Sequence, residues 1–251
     1  MKEVKYLSHL SRNFYLYFIL FFTLRLLNII SLKPNQVIVG LIVFIISYSP
    51  VYFLNDYVDK NEDKKLKRAN LYLSISNKIV YWGIFFFLIL SGLLLSLNLN
   101  PISPLILVTL YFLNYIYSFP PFRFRNIYFL RELLISIIYS FKWLLIISYW
   151  NLSFYYLPLP ILIMASSFAS MNLSLYKRHL KRNRYSEYFF GLIFIIFWFF
   201  TIGIYKKVLL LFLPLLPVVI YLWFRYKKSH IPIGFYQTLY FIYALIIYLI
   251  V

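Results

Sequence analysis

Long apolar runs, separated by short polar or basic connections, recur along almost the whole chain. Each run is close to the length of about 20 residues that a helix needs to cross a lipid bilayer. Nine such runs can be drawn, and the pattern predicts one helical span for each. Their approximate bounds are Phe14–Leu32, Val37–Leu54, Ile79–Leu97, Ile102–Phe119, Ile127–Tyr149, Phe154–Leu175, Tyr188–Tyr205, Val208–Phe224 and Ile231–Val251.

The composition supports the same class of protein. Hydrophobic residues make up 63% of the chain and charged residues 13%, whereas about a quarter of the residues in a soluble domain are charged. No soluble segment, linker or low-complexity tail is recognisable. The sequence therefore predicts an all-α, polytopic membrane bundle of about nine transmembrane helices, with residues 1–251 forming a single domain.

The formal net charge of +18 at first suggests a nucleic-acid partner. The basic residues, however, are spread over the loops between spans and not gathered on one soluble face, so we predict no nucleic acid. Most of them fall on alternate loops, while the connections Asn98–Pro101 and Trp150–Ser153 are short and carry no charge. By the positive-inside rule, the N-terminus and the basic loops face the cytoplasm.

The absence of Cys excludes disulfides and thiolate metal sites.

An acidic cluster stands out against this basic background. The chain has only seven acidic residues, and four of them, Asp56, Asp59, Glu62 and Asp63, fall within eight positions at the end of the second apolar run. If a helix continues through this segment, Asp56, Asp59 and Asp63 share one face, where like charges repel unless a cation lies between them. Carboxylate oxygens suit Mg²⁺, which completes its coordination with water and substrate phosphates. The alternative is a solvated acidic loop at the membrane surface.

The residues around this cluster extend the prediction to a phosphate ligand. Lys67 and Arg68 follow the acidic segment, and metal ligands next to cationic side chains form a plausible diphosphate site.

Three charged residues, Arg25, Glu132 and Lys142, lie inside the predicted spans. Charged side chains are energetically unfavourable in hydrocarbon, so these residues should face a cavity or one another. For Glu132, a structural pairing with Arg131, Arg125 or Lys142 and a catalytic role both remain open.

A second loop with distinctive chemistry is Tyr117–Arg125, which follows the fourth predicted span. Pro120 and Pro121 end the helix and favour an extended turn at the membrane surface. An extended turn would present Arg123 and Arg125 on the same side, because they are alternate residues.

Two of these segments resemble a known family. The run from Asn55 to Asp63 resembles the Asn-Asp-x-x-Asp-x-x-x-Asp signature of the UbiA superfamily of intramembrane prenyltransferases, and Tyr117–Arg125 is similar to the second basic segment of that family. The resemblance implies a helical bundle around a central cavity open to lipid. It also implies that Mg²⁺ and a polyprenyl diphosphate bind in that cavity.

The resemblance assigns roles to residues of this chain. Asp56, Asp59 and Asp63 would be the catalytic, metal-binding carboxylates. The full set of predicted substrate-binding residues, from the resemblance and from the charges beside the motifs, is Asn55, Lys67, Arg68, Tyr117, Arg123, Arg125, Asn172, Tyr176, Lys177 and Arg178.

The third loop departs from the family pattern. A second acidic motif, Asp-x-x-x-Asp, would lie near Asn172 and Tyr176, but no Asp follows Asp63. A branch of the superfamily that makes polyprenyl-phosphate pentose lipids has Lys-Arg in this loop, and Lys177-Arg178 resembles that substitution. A positive anchor beside anionic lipid would explain the same charges.

The predicted function is that of a membrane transferase that moves a prenyl group from a polyprenyl diphosphate to an unidentified acceptor with the help of Mg²⁺. Three alternatives remain open at this point. The protein could be a pentose-transferring relative, a degenerate isoprenoid-binding protein without catalysis, or a small transporter. Transporters tend to have Gly or Pro breaks in corresponding spans, and the six Gly of this chain give that alternative weak support.

Overall fold

The computed structural model describes residues 14, 16–25, 30–65, 70–154, 159–171 and 184–205, together with residues 218–219, 222–223, 242 and 245–246. Within these ranges all regular elements are helical, which confirms the all-α prediction. The helices are α1 (Leu16–Arg25), α2 (Pro34–Val58), α3 (Lys60–Lys65), α4 (Leu71–Ser74), α5 (Lys78–Leu99), α6 (Ser103–Ser118), α7 (Leu130–Tyr149), α8 (Leu159–Met171) and α9 (Arg184–Tyr205).

Several of these helices suit a membrane. Helices α2 and α5, and the segment Tyr185–Ile204 of α9, are long and apolar enough to cross a bilayer, and α1, α6 and α8 are shorter apolar helices. The predicted spans Ile102–Phe119 and Ile79–Leu97 agree closely with α6 and α5. The last two predicted spans lie almost wholly outside the described residues, so the count of nine stays a prediction.

The chain divides into two compact units. The first unit contains residues 1–14, 32–123 and 144–152, and the second contains residues 15–31, 124–143 and 153–251. Helix α7 contributes its N-terminal part to the second unit and its C-terminal part to the first. Division into compact units does not decide the number of domains, so the single domain also stays a prediction.

The first unit is organised by a close approach of α2 and α5. Gly92 of α5 lies directly against Ser47 of α2, because a Cβ built on Gly92 would be only 2.8 Å from the Ser47 Cα atom. The Tyr149 hydroxyl donates to Ser47 Oγ at 2.8 Å and lies 2.7 Å from Ser96 Oγ. Polar side chains therefore bond between helices in a buried, apolar environment, where an unpaired hydroxyl would be costly.

Helix α2 contains Pro50, which cannot donate a backbone hydrogen bond to the preceding turn. Near this break, the Tyr111 hydroxyl of α6 donates a hydrogen bond to the Ser47 carbonyl oxygen. A side chain from a neighbouring helix thus bonds to backbone close to the proline, as is common for prolines within membrane helices. The acidic segment begins in the last turn of α2, beyond this region.

The second unit includes α8 packed against α9. The rings of Phe168 and Phe194 have centroids 5.0 Å apart, and Gly191 leaves space for the sulfur of Met171. Phe129, just before α7, packs its ring edge-on against Phe189 of α9 with centroids 5.3 Å apart. The start of α7 and the start of α9 therefore meet in this unit.

Candidate functional site

The acidic segment lies at the C-terminal end of α2, and the helix continues further into it than the predicted boundary at Leu54. Helical structure ends at Val58, and α3 begins at Lys60 after a single non-helical residue, Asp59. The Asp59 N–H donates to the Asn55 carbonyl at 2.9 Å, and the Asp63 N–H donates to the Asp59 carbonyl at 2.8 Å. Hydrogen bonds over four residues thus continue across the interruption and maintain near-helical spacing.

Two of the carboxylates are buried. Asp56 and Asp63 expose only 6% and 5% of their surface, whereas Asp59 is half-buried. An ionised carboxylate at such a position must be compensated by hydrogen bonds or by opposite charge. This burial argues against the alternative of a fully solvated acidic loop.

The segment that follows α3 folds back onto both buried carboxylates. The Asn70 amide nitrogen donates to Asp63 Oδ2 at 2.9 Å and to the Asp56 carbonyl oxygen at 2.7 Å. The backbone N–H of Leu71 donates to Asp56 Oδ2 at 2.7 Å. Because one short segment contacts both side chains, Asp56 and Asp63 lie on the same side of the α2–α3 segment.

Helix α4 is held in place from both ends. At its start, Asn70 Oδ1 accepts a hydrogen bond from the Leu73 N–H at 3.1 Å, which is an N-cap. At its end, the Lys78 ammonium donates to the carbonyl oxygens of Tyr72 and, at 2.6 Å, Ile75. A cation at the C-terminal end of a helix is favourable because the last carbonyl groups lack partners within the helix.

Aromatic rings and two lysines surround the same helix. The Lys60 ammonium lies 4.0 Å from the centre of the Tyr57 ring, and the Lys78 ammonium lies 4.2 Å from that of Tyr72. Tyr57 also packs edge-on against Tyr72 and Trp82, at centroid distances of 5.2 and 5.1 Å. Cation–π contacts and edge-on ring packing therefore stabilise the region next to the acidic segment.

Asn55, the first residue of the acidic signature, is oriented from another helix. The Ser118 hydroxyl, at the end of α6, donates to Asn55 Oδ1 at 2.9 Å. Tyr117, the neighbouring residue predicted to line the substrate pocket, is 5% exposed. The structure thus brings the first residue of the acidic motif into direct contact with the helix that begins the second predicted loop.

The donor chemistry of this region fits Mg²⁺. Asp56, Asp59 and Asp63 offer only oxygen ligands, and hydrogen bonds from Asn70 and Leu71 orient two of them, as outer-shell partners orient metal ligands. Among the described residues, no three His, Cys, Asp or Glu side chains are grouped so that they alone could hold a metal ion. Mg²⁺ does not require such a group, because it is commonly bound through one or two carboxylates together with water and phosphate oxygens.

The second loop differs from the predicted geometry. Helix α6 ends at Ser118, before the cis Pro120-Pro121 bond, as the prolines predict. The chain is not extended beyond them, because Arg123 has a left-handed backbone (φ 39°) and Phe124–Asn126 form a 3₁₀ turn. The prediction that Arg123 and Arg125 project as alternate residues of an extended turn is therefore wrong.

The two arginines also have different surroundings. Arg123 belongs to the first unit, and its buried Nε atom has no hydrogen-bond partner among the described residues. Arg125 belongs to the second unit and is 6% exposed. The other predicted substrate-binding residues lie outside the described residues: they are Lys67, Arg68, Asn172, Tyr176, Lys177 and Arg178.

The charges within the predicted spans have local partners. Arg131 and Glu132 form a buried ion pair in the second unit, in which Arg131 Nε donates to Glu132 Oε1 at 2.9 Å. This pairing is one of the alternatives that the sequence leaves open for Glu132. The Lys142 ammonium lies 5.1 Å from the centre of the Tyr139 ring, and Arg25 Nη1 donates to the Ile30 carbonyl at 3.1 Å.

Sequence reasoning did not assign a role to several residues that organise the site. Asn70, the Leu71 N–H, Lys78 and Ser118 all hold the acidic segment or the helix next to it. One signal was available for Asn70, because Asn directly before a short helical segment is a typical N-cap. Nothing in the sequence indicates that the same side chain also reaches Asp63.

Comparisons with known proteins bear on the fold. The chain is similar to the solved structure of a UbiA homolog from Archaeoglobus fulgidus bound to DMAPP and Mg²⁺, with a TM-score of 0.67. The alignment covers 98% of this chain and 100% of that one, at 15% sequence identity. The chain has a UbiA fold. Protein-family models and curated proteins gave no match.

The predicted resemblance to the UbiA superfamily is thus confirmed at the level of the fold, over nearly the whole chain. A UbiA fold also supports the prediction of a helical membrane protein. DMAPP and Mg²⁺ are ligands of the Archaeoglobus protein, and the residue roles in this chain stay predictions.

Proposed function

We propose that the protein is a membrane transferase that moves a prenyl group from a polyprenyl diphosphate to an acceptor, with Mg²⁺ bound at the Asn55–Asp63 segment. The observation that supports this most directly is the pair of buried carboxylates, Asp56 and Asp63, which one neighbouring segment orients through neutral hydrogen-bond donors. The UbiA fold supports it independently, because a UbiA homolog of that fold binds DMAPP, a prenyl diphosphate, and Mg²⁺.

In this proposal Asp56, Asp59 and Asp63 hold the metal, and Asn55, fixed by Ser118, supports them. When bound, the ion supplies electrostatic neutralisation of the diphosphate as the allylic C–O bond breaks. The aromatic rings beside α4 help to exclude water from this region, which strengthens electrostatic interactions there and protects a developing carbocation.

The remaining predicted substrate contacts are cationic or polar side chains that suit a phosphate. Arginines bind phosphate oxygens through paired N–H donors, and lysines act as point charges. The proposed contacts are Lys67, Arg68, Tyr117, Arg123, Arg125, Asn172, Tyr176, Lys177 and Arg178. For Arg123, the unpartnered buried Nε supports a role in binding an anion, since such a donor is costly when unsatisfied.

The test is Mg²⁺-dependent binding of DMAPP and longer polyprenyl diphosphates by the purified protein. We expect Asp56→Asn and Asp63→Asn each to weaken binding at least about tenfold, because truncating one partner of a buried charge pair costs roughly 2–5 kcal/mol. Glu62→Gln, in the same segment but outside the signature, is the control and should bind as the wild type does. Wild-type Mg²⁺ dependence in both Asp variants would contradict the metal site.

Turnover separates the proposed transferase from two alternatives. A degenerate isoprenoid-binding protein would retain the lipid diphosphate with Mg²⁺ and release no diphosphate in the presence of any acceptor. A pentose-transferring relative would instead transfer a pentose from an activated pentose donor, which loses its leaving group, to a polyprenyl monophosphate. For the proposed transferase we therefore expect the prenyl label to appear on the acceptor, and no lipid product labelled from a pentose.

We also propose that the acidic segment faces the cytoplasm, because it lies in one of the basic loops and such loops face the cytoplasm by the positive-inside rule. Cysteines introduced at Lys65 and Arg182 should then react with an impermeant reagent only from the cytoplasmic side, and one at Lys206 only from the opposite side. The chain contains no native Cys, so no background label is expected. Labelling of Arg182 and Lys206 from the same side would contradict the nine-span topology.

A further inference from the structure

The side-chain amide of Asn70 makes three hydrogen bonds at once. Its nitrogen donates to the Asp56 carbonyl oxygen at 2.7 Å and to Asp63 Oδ2 at 2.9 Å, and its oxygen accepts from the Leu73 N–H at 3.1 Å. A side-chain amide has two N–H donors and a carbonyl acceptor, so each group of Asn70 has a separate partner. Asn70 is itself 5% exposed.

These contacts link three parts of the site. Asp56 lies in α2, Asp63 lies in α3, and Leu73 lies in α4. Backbone hydrogen bonds continue through Asp59, and Asn70 adds a side-chain connection between α3 and the end of α2. By bonding to both helices, Asn70 fixes the position of the Asp63 carboxylate relative to Asp56.

The chemical nature of these donors matters for cation binding. An amide N–H orients a carboxylate without neutralising its charge, whereas a Lys or Arg donor would bring a positive charge that repels a metal ion. The Leu71 N–H, which donates to Asp56 Oδ2 at 2.7 Å, is likewise uncharged. Both buried carboxylates thus have one oxygen fixed by a neutral donor from residues 70–71.

We propose that Asn70 is the positioning residue of the metal site, and that it sets the affinity for Mg²⁺ by fixing the Asp63 carboxylate relative to Asp56. This inference rests on the proposed function, since it concerns the metal at the same segment. It adds a residue outside the acidic signature, seven positions after its last carboxylate. In this role Asn70 acts through Asp56 and Asp63, to which its amide nitrogen donates.

The decisive variant is Asn70→Ser. Ser and Asn are comparable N-caps, so Ser retains the cap of α4, but its single hydroxyl donor is too short to replace the amide at both aspartates. Asn77 provides a matched control, because it caps α5 by accepting from the Ile79 N–H at 2.9 Å and is exposed. Within the described part of the chain, it makes no hydrogen bond to the acidic segment. Asn77→Ser therefore repeats the chemical change away from the metal site.

Two measurements are made on the purified full-length protein: Mn²⁺ or Mg²⁺ binding by calorimetry in the presence of DMAPP, and the thermal unfolding midpoint without metal. We expect Asn70→Ser to weaken metal binding about 10- to 100-fold, the range found when outer-shell partners of metal ligands are removed. We expect its metal-free midpoint to lie below that of Asn77→Ser, because the Asp56 carbonyl and the Asp63 carboxylate lose a buried donor. Asn77→Ser should bind metal as the wild type does.

The outcomes separate this inference from the proposed function. Failure of the wild type to bind DMAPP or any longer polyprenyl diphosphate with Mg²⁺ would overturn the proposed function. Metal-dependent binding by the wild type, with the same metal affinity in Asn70→Ser, would overturn only the role of Asn70. If Asn70→Ser lowers the metal-free midpoint while the folded protein keeps wild-type metal affinity, Asn70 serves stability alone, and the inference is overturned.

Discussion

Replacing Gly92 with Ala should disturb the pairing of α2 and α5, on which the position of the acidic segment depends. A Cβ at residue 92 would lie 2.8 Å from the Ser47 Cα atom and 3.1 Å from its Cβ atom. That is well short of the roughly 3.5–4.0 Å at which two carbon atoms make their best contact. Because the closest atom is backbone, a rotamer change cannot relieve the clash, and one helix must move. Overpacking of this kind typically costs about 1–3 kcal/mol.

Gly83 provides the control on the same helix. In the described part of the chain, a Cβ there meets nothing within 4 Å, so Gly83→Ala should only gain the helix propensity of Ala, about 1 kcal/mol at most. The same gain applies at residue 92 and cancels when the two variants are compared. The difference between them, about 1–3 kcal/mol, then measures the contact with Ser47 alone.

The assay is the thermal unfolding midpoint of each purified variant in the same detergent. For a soluble chain of this length, 1 kcal/mol changes the midpoint by roughly 2–4 °C, so Gly92→Ala should unfold at least about 2 °C below Gly83→Ala. Since α2 carries the acidic segment, Gly92→Ala should also weaken Mg²⁺-dependent binding of DMAPP. Equal midpoints for the two variants would refute the close approach of α2 and α5.

Two further predictions concern the buried polar network and the third loop. Tyr149→Phe should destabilise the protein by about 1–3 kcal/mol, because Ser47 and Ser96 lose their shared partner. Tyr115 has an exposed ring, so Tyr115→Phe should not destabilise the protein. Equal unfolding midpoints of the two variants would contradict the network. Removing Lys177 or Arg178 should weaken isoprenoid-phosphate binding more than tenfold at high as well as low salt if they bind phosphate. A surface charge such as Lys228 should have a small effect that salt removes, and equal, salt-sensitive effects at all three positions would favour the degenerate relative.

The acidic segment could be predicted from sequence because its signal is local. Four carboxylates in a chain with few acidic residues are conspicuous, and the spacing from Asp56 to Asp63 follows from helix geometry alone. The α5 and α6 helices were equally accessible, since apolar runs between polar ends mark their bounds. The burial of Asp56 and Asp63 was not accessible, because it depends on how residues 70–71 fold back over them.

The contacts that complete the site are tertiary, and they explain what the sequence left open. Ser118 reaches Asn55 across 63 positions of the chain, and no local pattern specifies such a pair. The Pro120-Pro121 segment illustrates a different limit. Proline fixes its own φ angle and restricts the residue before it, but it does not determine the residues after it. The left-handed Arg123 and the following 3₁₀ turn therefore could not be deduced from the prolines.

The charge pattern suggests how a site with one acidic motif can act on a diphosphate. Two acidic motifs would repel an anionic substrate unless metal ions neutralise both of them. In this chain no Asp follows Asp63, and Lys177 and Arg178 directly follow the place of the second motif in the third loop. If the proposed function holds, fewer carboxylates require less metal, and Lys177 and Arg178 are expected to attract the phosphates directly. On the proposed function, part of the positive charge that metal supplies in a two-motif site is therefore built into the protein, and the dependence on Mg²⁺ should come from the Asn55–Asp63 segment alone.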